Sequence, residues 1–405
     1  MTMTTLGIGG STAQAELAQL QPWAARAAPI TAGEYHDRLA KARGLMAAQG
    51  VDALLVNAGA SLRYFAGVPW GASERLVAML ILPDGNPQIV APRFELGSLE
   101  AELAIPAQIH AWEEHENPHT LMAALLSGGR VTRLAIDPAF PFQMALRLQA
   151  AAPGVALADG GPIIEPCRAI KSPAELAIMT QAKQMTLEVH RRVARILRPG
   201  ITAGEVTRFI EAAHRALGAA GNSFCIVEFG RGTSFPHGLP GERRLEQDDV
   251  VLIDTGCYVQ GYTSDITRSY VFGTPSDEHR RIWNLEREAQ AAAFDAVRPG
   301  VACEAIDAAA RRVLERAGLG PDYRLPGLPH RTGHGIGLSI HEGPYLVRGD
   351  TTPLAPGMCF SNEPMIVLPE RFGIRLEDHF HVTETGAAWF TQPAHSIDDP
   401  FGLAA

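Results

Sequence analysis

The segment "ILRPGITAGEVTRFIEAAHRALGAAG", residues 196–221, decides how we expect most of the chain to fold, because the chain nearly repeats it. The related segment "AVRPGVACEAIDAAARRVLERAGLG" occupies residues 296–320, so the two Arg-Pro-Gly triplets lie 100 residues apart. Each copy is typical of a helix, a Pro-Gly break, a second helix and then strands. Since this period is too long for a solenoid, the repeat predicts two similar halves with a site in the cleft between them. Two unrelated helix breaks are the simpler alternative.

The preceding residues predict a separate domain. Residues 31–165 alternate a helix-like segment with strand-like runs such as "VDALLVN" and "LVAMLIL", a pattern typical of a small α/β domain with a buried sheet. A new unit begins where Ser172 can cap a helix, with Pro173 at its first position and Glu175 completing a capping box. We therefore predict an α+β protein with a loose leader at 1–30, an α/β domain at 31–165 and a second domain at 166–405, as 405 residues allow.

The composition excludes several classes of partner. A net charge of −9 and the lack of any Lys/Arg run argue against a nucleic-acid surface. No apolar run approaches the roughly 18 residues of a membrane span, and the first residues lack the pattern of a signal peptide. The five cysteines are scattered and never form a C-x-x-C pair, which favours reduced thiols and a cytoplasmic protein. Small molecules are the expected substrates.

A first predicted hairpin, "VVLIDTGCYVQGYTSDITRSYVF" at residues 250–272, carries two acidic residues. A turn centred between Val259 and Gln260 would set Asp254 opposite Asp265. Carboxylates paired in this way, with Cβ atoms about 5 Å apart, repel each other. A bound cation would turn this repulsion into a binding site. The alternative, two solvated surface aspartates, leaves unexplained why such apolar strands tolerate them.

A second predicted hairpin, "MCFSNEPMIVLPERFGIRLEDHFHVTE" at residues 358–384, has the same character. A turn centred on Glu370 would set Glu363 opposite Glu377. In the return strand, Arg375, Glu377, His379 and His381 share one face. An edge strand that is wetted on one side is the alternative interpretation.

Two histidines lie in a third segment, "RTGHGIGLSIHEGPYL" at residues 331–346. Alone, a glycine-rich turn with a histidine is more often structural. Together with the two hairpins, however, His334 completes a set of four carboxylates and one imidazole, whose charge of −4 would balance two divalent cations. Such an oxygen-rich shell suits Mn²⁺, Zn²⁺, Co²⁺ or Fe²⁺. Two such ions, about 3.5–4 Å apart, can hold a bridging hydroxide for hydrolysis.

The motifs "IDTG", "SDITR", "GHGIGL", "SNEP" and "RLED", in this order, resemble the signature of the pita-bread metallopeptidases, which include methionine aminopeptidase, aminopeptidase P and prolidase. The segments "ASLRYFAGVPWG" and "RAIKSPAE" resemble the amino-terminal domain and linker shared by prolidase, aminopeptidase P and creatinase. The closest likeness is to bacterial Xaa-Pro dipeptidase, or prolidase. The resemblance implies a small α/β domain, a pseudo-twofold pita-bread catalytic domain and a homodimer.

The resemblance also implies the ligands of two metal ions per subunit, which would be manganese, zinc or cobalt. Asp254 would chelate the first ion, and His334 and Glu363 would hold the second. Asp265 and Glu377 would bridge the two ions. Glu363 would also shuttle the proton as the hydroxide attacks the scissile carbonyl.

Three further residues match the family's substrate-side groups. His237 and His341 would steady the substrate and the tetrahedral intermediate, and Arg375 or a neighbour would clamp a carboxylate. The implied activity is metal-dependent hydrolysis of Xaa-Pro dipeptides. The alternatives are an Xaa-Pro aminopeptidase acting on longer peptides and a pita-bread binding protein that has lost catalysis. Creatinase works without metal, so the five-ligand set counts against it.

Two features of the sequence depart from this reading. Prolidases continue the "NEP" motif with glycine, one residue and tyrosine, whereas Met365 and Val367 occupy those positions here. The missing hydroxyl would alter rate or substrate range unless Tyr262 or Tyr345 replaces it. The segment "HENPH", residues 115–119, matches the H-E-x-x-H zinc motif. That match is expected to be accidental, since Asn117 and Pro118 predict the start of a helix that leaves His115 outside.

Overall fold

Residues 5–404, which the computed structural model describes, divide into two units. One unit is Ile30–Arg168, and the other combines the described residues up to Pro29 with those from Ala169 onward. The predicted boundary after residue 165 thus lies three residues before the observed one. Elements are numbered along the whole chain.

The Ile30–Arg168 unit is a six-stranded mixed sheet with helices, as expected for a small α/β domain. Its strands are β1 Ala53–Asn57, β2 Ala78–Ile81, β3 Gln88–Pro92, β4 Gln108–Trp112, β5 Arg133–Ile136 and β6 Ala156–Asp159. Its helices are α2 Ala32–Gln49, α3 Ala60–Ala66, α4 Leu96–Glu102, α5 Pro118–Gly128, α6 Phe142–Ala151 and α7 Gly161–Ala169. The strand order is β4-β3-β2-β1-β5-β6, in which β2 is antiparallel to both its neighbours and the other pairs are parallel. Both predicted strand-like runs lie in this sheet.

Helix α5 settles the H-E-x-x-H match. It begins at Pro118, and the side chain of Asn117 caps it by accepting a hydrogen bond from the backbone N–H of His119 at 3.0 Å. His115 therefore lies outside the helix, as the sequence predicted. The two histidines do not share the continuous helix that the zinc motif requires.

The second unit contains α1 near the start of the chain and all elements from α8 onward. Its helices are α1 Ala13–Ala18, α8 Pro173–Ile196, α9 Ala203–Leu217, α10 Asp277–Asp295 and α11 Cys303–Arg316. Its first strands are β7 Asn222–Phe229, β8 Val250–Val259, β9 Tyr262–Thr263 and β10 Ile266–Val271. The later strands are β11 Gly333–Gly335, β12 Glu342–Leu346, β13 Cys359–Asn362, β14 Met365–Leu368, β15 Phe372–Arg375, β16 Asp378–Val382 and β17 Ala387–Trp389. The sheets run β10-β8-β7 with β9 beside β8, then β12-β11-β13-β16-β17, with β14-β15 as a separate pair.

The internal repeat produces two halves built alike. We call the segment from α8 to β10 the first half and the segment from α10 to β17 the second half. In both, a glycine with positive φ turns the chain between two helices, at +76° for Gly200 and +84° for Gly300. The N–H of Gly200 donates to the carbonyl of Leu245, and the N–H of Gly300 donates to that of Leu354, both at 2.8 Å. The prediction of two similar halves is confirmed.

The start of helix α8 follows its sequence signals. The hydroxyl of Ser172 accepts from the N–H of Glu175 at 3.2 Å, and the Glu175 carboxylate accepts from the N–H of Ser172 at 2.9 Å. Pro173 stands at the first helical position, where a missing N–H costs nothing. The apolar stripe of this helix is buried, so the helix anchors the first half.

The prediction of a loose leader at residues 1–30 is wrong for residues 5–29, whereas residues 1–4 lie outside the described range. Glu16 in α1 is fully buried, with carboxylate oxygens 3.0 Å from Arg192 and 3.2 Å from Arg195 of α8. The N–H of Leu6 also donates to the carbonyl of Asp398 at 2.7 Å. The Glu16 carboxylate holds this segment by pairing with Arg192, more than 170 residues further along the chain. Hydrophobic periodicity does not reveal such a contact.

None of the helices within residues 5–404 has the combined length and apolarity needed to cross a membrane.

Candidate metal centre

The first predicted hairpin forms with a register different from the expected one. The turn residues are Gln260 and Gly261, both with positive φ (49° and 84°), as in the two-residue turns that suit twisted strands. This moves the turn centre by one residue, so Asp254 lies opposite Thr267 and not opposite Asp265. The prediction of a direct Asp254–Asp265 pair is therefore wrong.

Asp265 instead occupies an interruption of the strand pairing, between β9 and β10. Gly256 on the facing strand makes this local geometry possible. A Cβ atom on Gly256 would overlap the carbonyl oxygen of Ser264, so only glycine allows the two chains to approach this closely. The break frees the Asp265 side chain from the regular alternation of a strand.

The second hairpin has the predicted register. Met365 pairs with Arg375 in one ladder and Asn362 pairs with Asp378 in the next. The same register extended across the gap sets Glu363 opposite Glu377. Both glutamates lie in the interruption between the β13–β16 and β14–β15 ladders, so this part of the prediction is confirmed.

His334 is held in β11 with one ring nitrogen free for a metal. Its Nδ1 lies 3.0 Å from the carbonyl oxygen of Gly335, which can only accept, so Nδ1 carries the hydrogen. Its Nε2 lies 3.1 Å from Glu363 Oε1 and 3.6 Å from Asp265 Oδ2. The Ser361 hydroxyl accepts from the His334 N–H at 2.9 Å and donates to Glu363 Oε1 at 3.0 Å. One serine therefore fixes both residues.

The structure brings four of the five predicted ligands into groups able to hold an ion. Donor atoms within 4.8 Å of one another form three sets: His334, Glu363 and Glu377; Asp265, Glu377 and His379; Asp265, His334 and His341. Asp254 is outside these sets, and its Oδ2 accepts from the Arg375 guanidinium at 2.5 Å. Asp265, Glu377 and His334 each belong to two of the three sets, and the first two are the residues expected to bridge.

The site has more negative charge than its own residues neutralise. Burial raises the pKa of Asp254 well above its usual range. Arg375 opposes this shift and Asp265 adds to it. Burial also raises the pKa of Glu377, with further increases from the charges of Asp265 and Glu363. A carboxylate in such a place stays ionised only when a cation is added.

The imidazole of His334 responds to the same charge. Burial alone would lower its pKa, but the carboxylates of Asp265 and Glu363 that face its Nε2 raise it to about 10. The pKa of Glu363 is held below its usual range because the His334 pairing outweighs burial. The two carboxylates thus favour positive charge beside the His334 Nε2, which is where an expected metal ion would bind.

Within the candidate metal centre, three buried carboxylate oxygens have no hydrogen-bond partner among residues 5–404. They are Asp254 Oδ1, Asp265 Oδ1 and Glu377 Oε1. Three unpartnered acidic oxygens beside a free imidazole nitrogen are the donor set that divalent transition metals accept. The residues present therefore fit the expected ions.

A cavity of about 730 Å³ opens onto this group. It is lined by Phe235, Pro236, His237, Gly238, Pro329, His330, Arg331, His341, Val347, Glu363 and Arg375. His237 and His341 are thus on its wall as predicted, and the His341 ring lies 4.2 Å from that of His334, centroid to centroid. This volume accommodates a small peptide.

Arg375 is engaged within the protein. Besides Asp254, its guanidinium donates to the Pro236 carbonyl and to Thr267 Oγ1, both at 3.0 Å, and its side chain is 3% exposed. Thr267 in turn donates to Glu377 Oε2 at 2.7 Å. Arg375 therefore orients two of the expected ligands while one edge faces the cavity.

The departure from the prolidase "NEP" pattern is accommodated without a hydroxyl. Met365 and Val367 are buried, and Met365 Sδ lies 4.0 Å from the Arg375 guanidinium. The Tyr262 hydroxyl is not a substitute, since it donates to Glu175 at 2.8 Å. The Tyr345 ring lies beneath Arg331, with 4.4 Å between the guanidinium carbon and the ring centroid.

Sequence reasoning missed three residues of this region. His330 and Arg331 line the cavity, and the buried Nε2 of His330 has no hydrogen-bond partner in the described part of the chain. His379 is fully buried beside Glu377, with 3.6 Å between Nε2 and Glu377 Oε1. The sequence does show His330 four residues before His334 and His379 two residues after Glu377. Their closeness to predicted ligands was the signal that could have identified them.

Two family models match the chain. That of metallopeptidase family M24 matches residues 177–384, and that of the creatinase/prolidase N-terminal domain matches residues 38–170. Every residue of the candidate metal centre falls within the first range.

Individual relatives cover almost the whole chain. A probable dipeptidase PepE from Mycobacterium tuberculosis is 37% identical over 366 residues, which span 90% of this chain and 96% of the relative. The crystal structure of dipeptidase PepE from Mycobacterium ulcerans is similar with a TM-score of 0.83 at 37% identity, covering 91% of this chain and 99% of the other. Recombinant prolidase from Thermococcus sibiricus gives 0.82 at 30% identity, with 88% and 97% coverage.

Proposed function

The chain belongs to metallopeptidase family M24, and from that premise we propose that this metal-dependent peptidase hydrolyses Xaa-Pro dipeptides. We assign two divalent ions to Asp254, Asp265, His334, Glu363 and Glu377. The observation that carries the assignment is the set of buried, unpartnered carboxylate oxygens beside His334 and Glu363, of which Glu363 lines a peptide-sized cavity.

Bound divalent ions would polarise the scissile carbonyl and activate water at neutral pH. The protein's own groups complete the chemistry. Glu363 is held by the Ser361 hydroxyl and faces the cavity, so it is positioned to take a proton from water and pass it to the leaving nitrogen. His237 and His341 line the same cavity and would donate hydrogen bonds to the substrate as its carbonyl becomes tetrahedral.

Proline at the second position suits such a site. The Xaa-Pro amide has no N–H, so proteases that bind substrates as hydrogen-bonded strands bind it poorly. Attack on a polarised carbonyl needs no such hydrogen bond. The names of the prolidase and dipeptidase relatives are consistent with this substrate class.

The cavity offers two cations for the free carboxylate of a dipeptide. Arg375 is already bound to Asp254, Thr267 and the Pro236 carbonyl, so accepting a second carboxylate would require it to exchange partners. Arg331 lines the cavity, stacks on Tyr345 and makes no ion pair within residues 5–404. We therefore assign recognition of the dipeptide's free carboxylate to Arg331 and not to Arg375.

Peptide assays test the proposal. Metal-stripped protein is reloaded separately with Mn²⁺, Zn²⁺ or Co²⁺ and given Leu-Pro, Leu-Pro-Pro and Leu-Leu. We expect release of leucine from Leu-Pro with at least one metal and little from Leu-Pro-Pro. Cleavage of the tripeptide alone would identify an Xaa-Pro aminopeptidase, and faster cleavage of Leu-Leu would reject the proline preference.

A variant pair separates catalysis from mere binding. Full activity of both Asp265→Ala and Glu377→Ala would overturn the metal assignment, whereas metal-loaded wild-type protein that cleaves none of the three peptides would favour a binding protein. Arg331→Met should raise KM for Leu-Pro with little effect on kcat, whereas Arg324→Met, at an exposed arginine outside the cavity lining, should change neither.

The cellular setting is also part of the proposal. We propose a cytoplasmic homodimer, with the five free cysteines and the family resemblance as its support. Sedimentation at several concentrations would test the dimer, and a single species at about 43.4 kDa would reject it.

A further inference from the structure

The candidate metal centre contains one imidazole that the family-based ligand set does not use. His379 in β16 is 0% exposed, and neither ring nitrogen has a hydrogen-bond partner among residues 5–404. A buried polar group without a partner costs stability, so its persistence in a packed site calls for an interaction. Nε2 of this ring is the atom that faces Glu377.

The strand geometry directs His379 at the proposed metals. Glu377 lies in the interruption just before β16, two residues before His379, and its Oε1 is 3.6 Å from the His379 Nε2. His379 pairs across the sheet with Ser361, whose hydroxyl contacts both His334 and Glu363. The His379 ring therefore lies next to one proposed metal ligand, Glu377, and its strand pairs with the serine that contacts two others.

The separations fit atoms that share an ion. Ligand atoms about 2.0–2.2 Å from one metal lie roughly 3.0–3.6 Å from each other. The Nε2 of His379 is 3.6 Å from Glu377 Oε1, which itself has no hydrogen-bond partner. The corresponding distances from His334 Nε2 are 3.1 Å to Glu363 and 3.6 Å to Asp265. The two imidazoles thus lie at similar distances from carboxylates of the centre, and each belongs to a set with Asp265 and a set with Glu377.

We propose that His379 is an additional metal ligand, giving the subsite formed by Asp265 and Glu377 a nitrogen donor through Nε2. This inference rests on the proposed function, since it requires the same two ions. The engagement of Asp254 with Arg375 supports it, because that carboxylate has one oxygen committed to a guanidinium. Each subsite then has one imidazole.

Pulsed electron paramagnetic resonance on Mn²⁺-loaded protein tests the proposal directly. We expect wild-type protein to show two coordinated imidazole nitrogens, which labelling with ¹⁵N-histidine identifies without any substitution. His379→Leu should leave one nitrogen and weaken one of two Mn²⁺ sites by about 10- to 100-fold or more in equilibrium dialysis. The matched control is His381→Leu on the same strand, which lies in none of the ligand sets and should retain both nitrogens.

The possible outcomes are distinct. A single coordinated nitrogen in labelled wild-type protein would overturn the proposal even if His379→Leu fails to fold. A His379→Leu variant with weakened affinity but an unchanged nitrogen count would also overturn it, because His379 would then only hydrogen-bond to Glu377. In either case two bound Mn²⁺ ions and Leu-Pro cleavage would leave the proposed function standing, whereas wild-type protein that binds none of Mn²⁺, Zn²⁺ and Co²⁺ would reject both.

Discussion

The first and second halves use equivalent residues to fix the backbone next to a proposed bridging carboxylate. His190 in α8 lies ten residues before Gly200, and Gln290 in α10 lies ten before Gly300. The Nε2–H of His190 donates to the carbonyl of Ile266 at 2.9 Å, directly after Asp265. Gln290 donates to the carbonyl of Leu376 at 3.0 Å, directly before Glu377. The repeat therefore conserves the support of the site although the supporting residue differs.

The halves differ in what they add to this common plan. The first half has one short antiparallel sheet and supplies the two aspartates. The second half splits its strands between two sheets and supplies the two glutamates and His334. Asp265, Glu363 and Glu377 all lie where strand pairing is interrupted. The regular elements thus resemble each other, and the ligands come from their irregularities.

Two arginine–carboxylate pairs also link the halves reciprocally. Arg268 of the first half binds Asp378 of the second at 2.7 Å, and Arg375 of the second half binds Asp254 of the first at 2.5 Å. Both arginines are buried. Only the Arg375–Asp254 pair includes a proposed metal ligand. We therefore regard Arg268–Asp378 as a structural pair and Arg375–Asp254 as part of the metal centre.

The largest expected effect is on the shared ligands. Asp265→Asn keeps the side chain's shape but removes its charge, and we expect kcat/KM for Leu-Pro to fall about 10³- to 10⁴-fold, as loss of several kcal/mol of metal stabilisation requires. Asp378→Asn, in the structural pair, should lower activity far less per folded molecule. Activity of Asp265→Asn within tenfold of wild type would show that the first half does not supply a bridging ligand.

A smaller effect is expected at the structural pair. Arg268→Leu leaves Asp378 buried without its cation, which should lower the free energy of unfolding by about 3–5 kcal/mol in urea titrations. The double variant Arg268→Leu with Asp378→Leu should recover part of this loss. Arg375→Leu should behave differently. Bound Mn²⁺ can neutralise the Asp254 carboxylate, so adding Mn²⁺ should reduce the loss of unfolding free energy in this variant. If Mn²⁺ changes the free energy of unfolding of Arg268→Leu and Arg375→Leu equally, the distinction between the two pairs is wrong.

The equivalent residues His190 and Gln290 predict different responses to acid. Burial lowers the pKa of His190 to about 3, so the unfolded chain, with its ordinary histidine pKa of about 6.5, binds a proton more readily. Stability should therefore fall as pH drops below 6.5, by about 2 kcal/mol at pH 5 from this residue. His190→Gln, which installs the second half's residue, should reduce the loss between pH 7 and 5 by that amount in metal-free protein. An unchanged pH difference would refute the prediction.

The smallest effect should be the same in both halves. Gly200 and Gly300 have positive φ and open space where a side chain would begin, so Gly200→Ala and Gly300→Ala incur only backbone strain. Each should lower the free energy of unfolding by about 1–2 kcal/mol. If the losses of unfolding free energy in the two variants differ by more than about 2 kcal/mol, the two bends are not equivalent.

The sequence predicts much of this architecture because its signals are local. The Ser172 capping box and the Asn117-Pro118 helix start depend on neighbouring residues, and the structure confirms both. The register of the second hairpin is also confirmed. The first hairpin was misplaced because the positive φ values at Gln260 and Gly261 shift its turn, a property that composition alone does not fix.

Features set by distant contacts were harder to predict. Glu16 is buried by arginines about 180 residues away, so no nearby pattern indicated that the leader packs. The engagement of Arg375 with Asp254 and the environment of His379 likewise depend on separate strands. The motifs identified which residue types meet, but not which of them neutralise one another.

The strand interruptions also define what a protein designer would have to copy. A graft of this centre onto another scaffold would need the chain breaks at Asp265, Glu363 and Glu377 more than the sheets around them. Uninterrupted β-ladders would keep Glu363 opposite Glu377 but would hold every acid in the regular alternation of its strand, from which the break frees Asp265. Transplanting the acids into ideal strands would therefore reproduce the composition of the centre without its function.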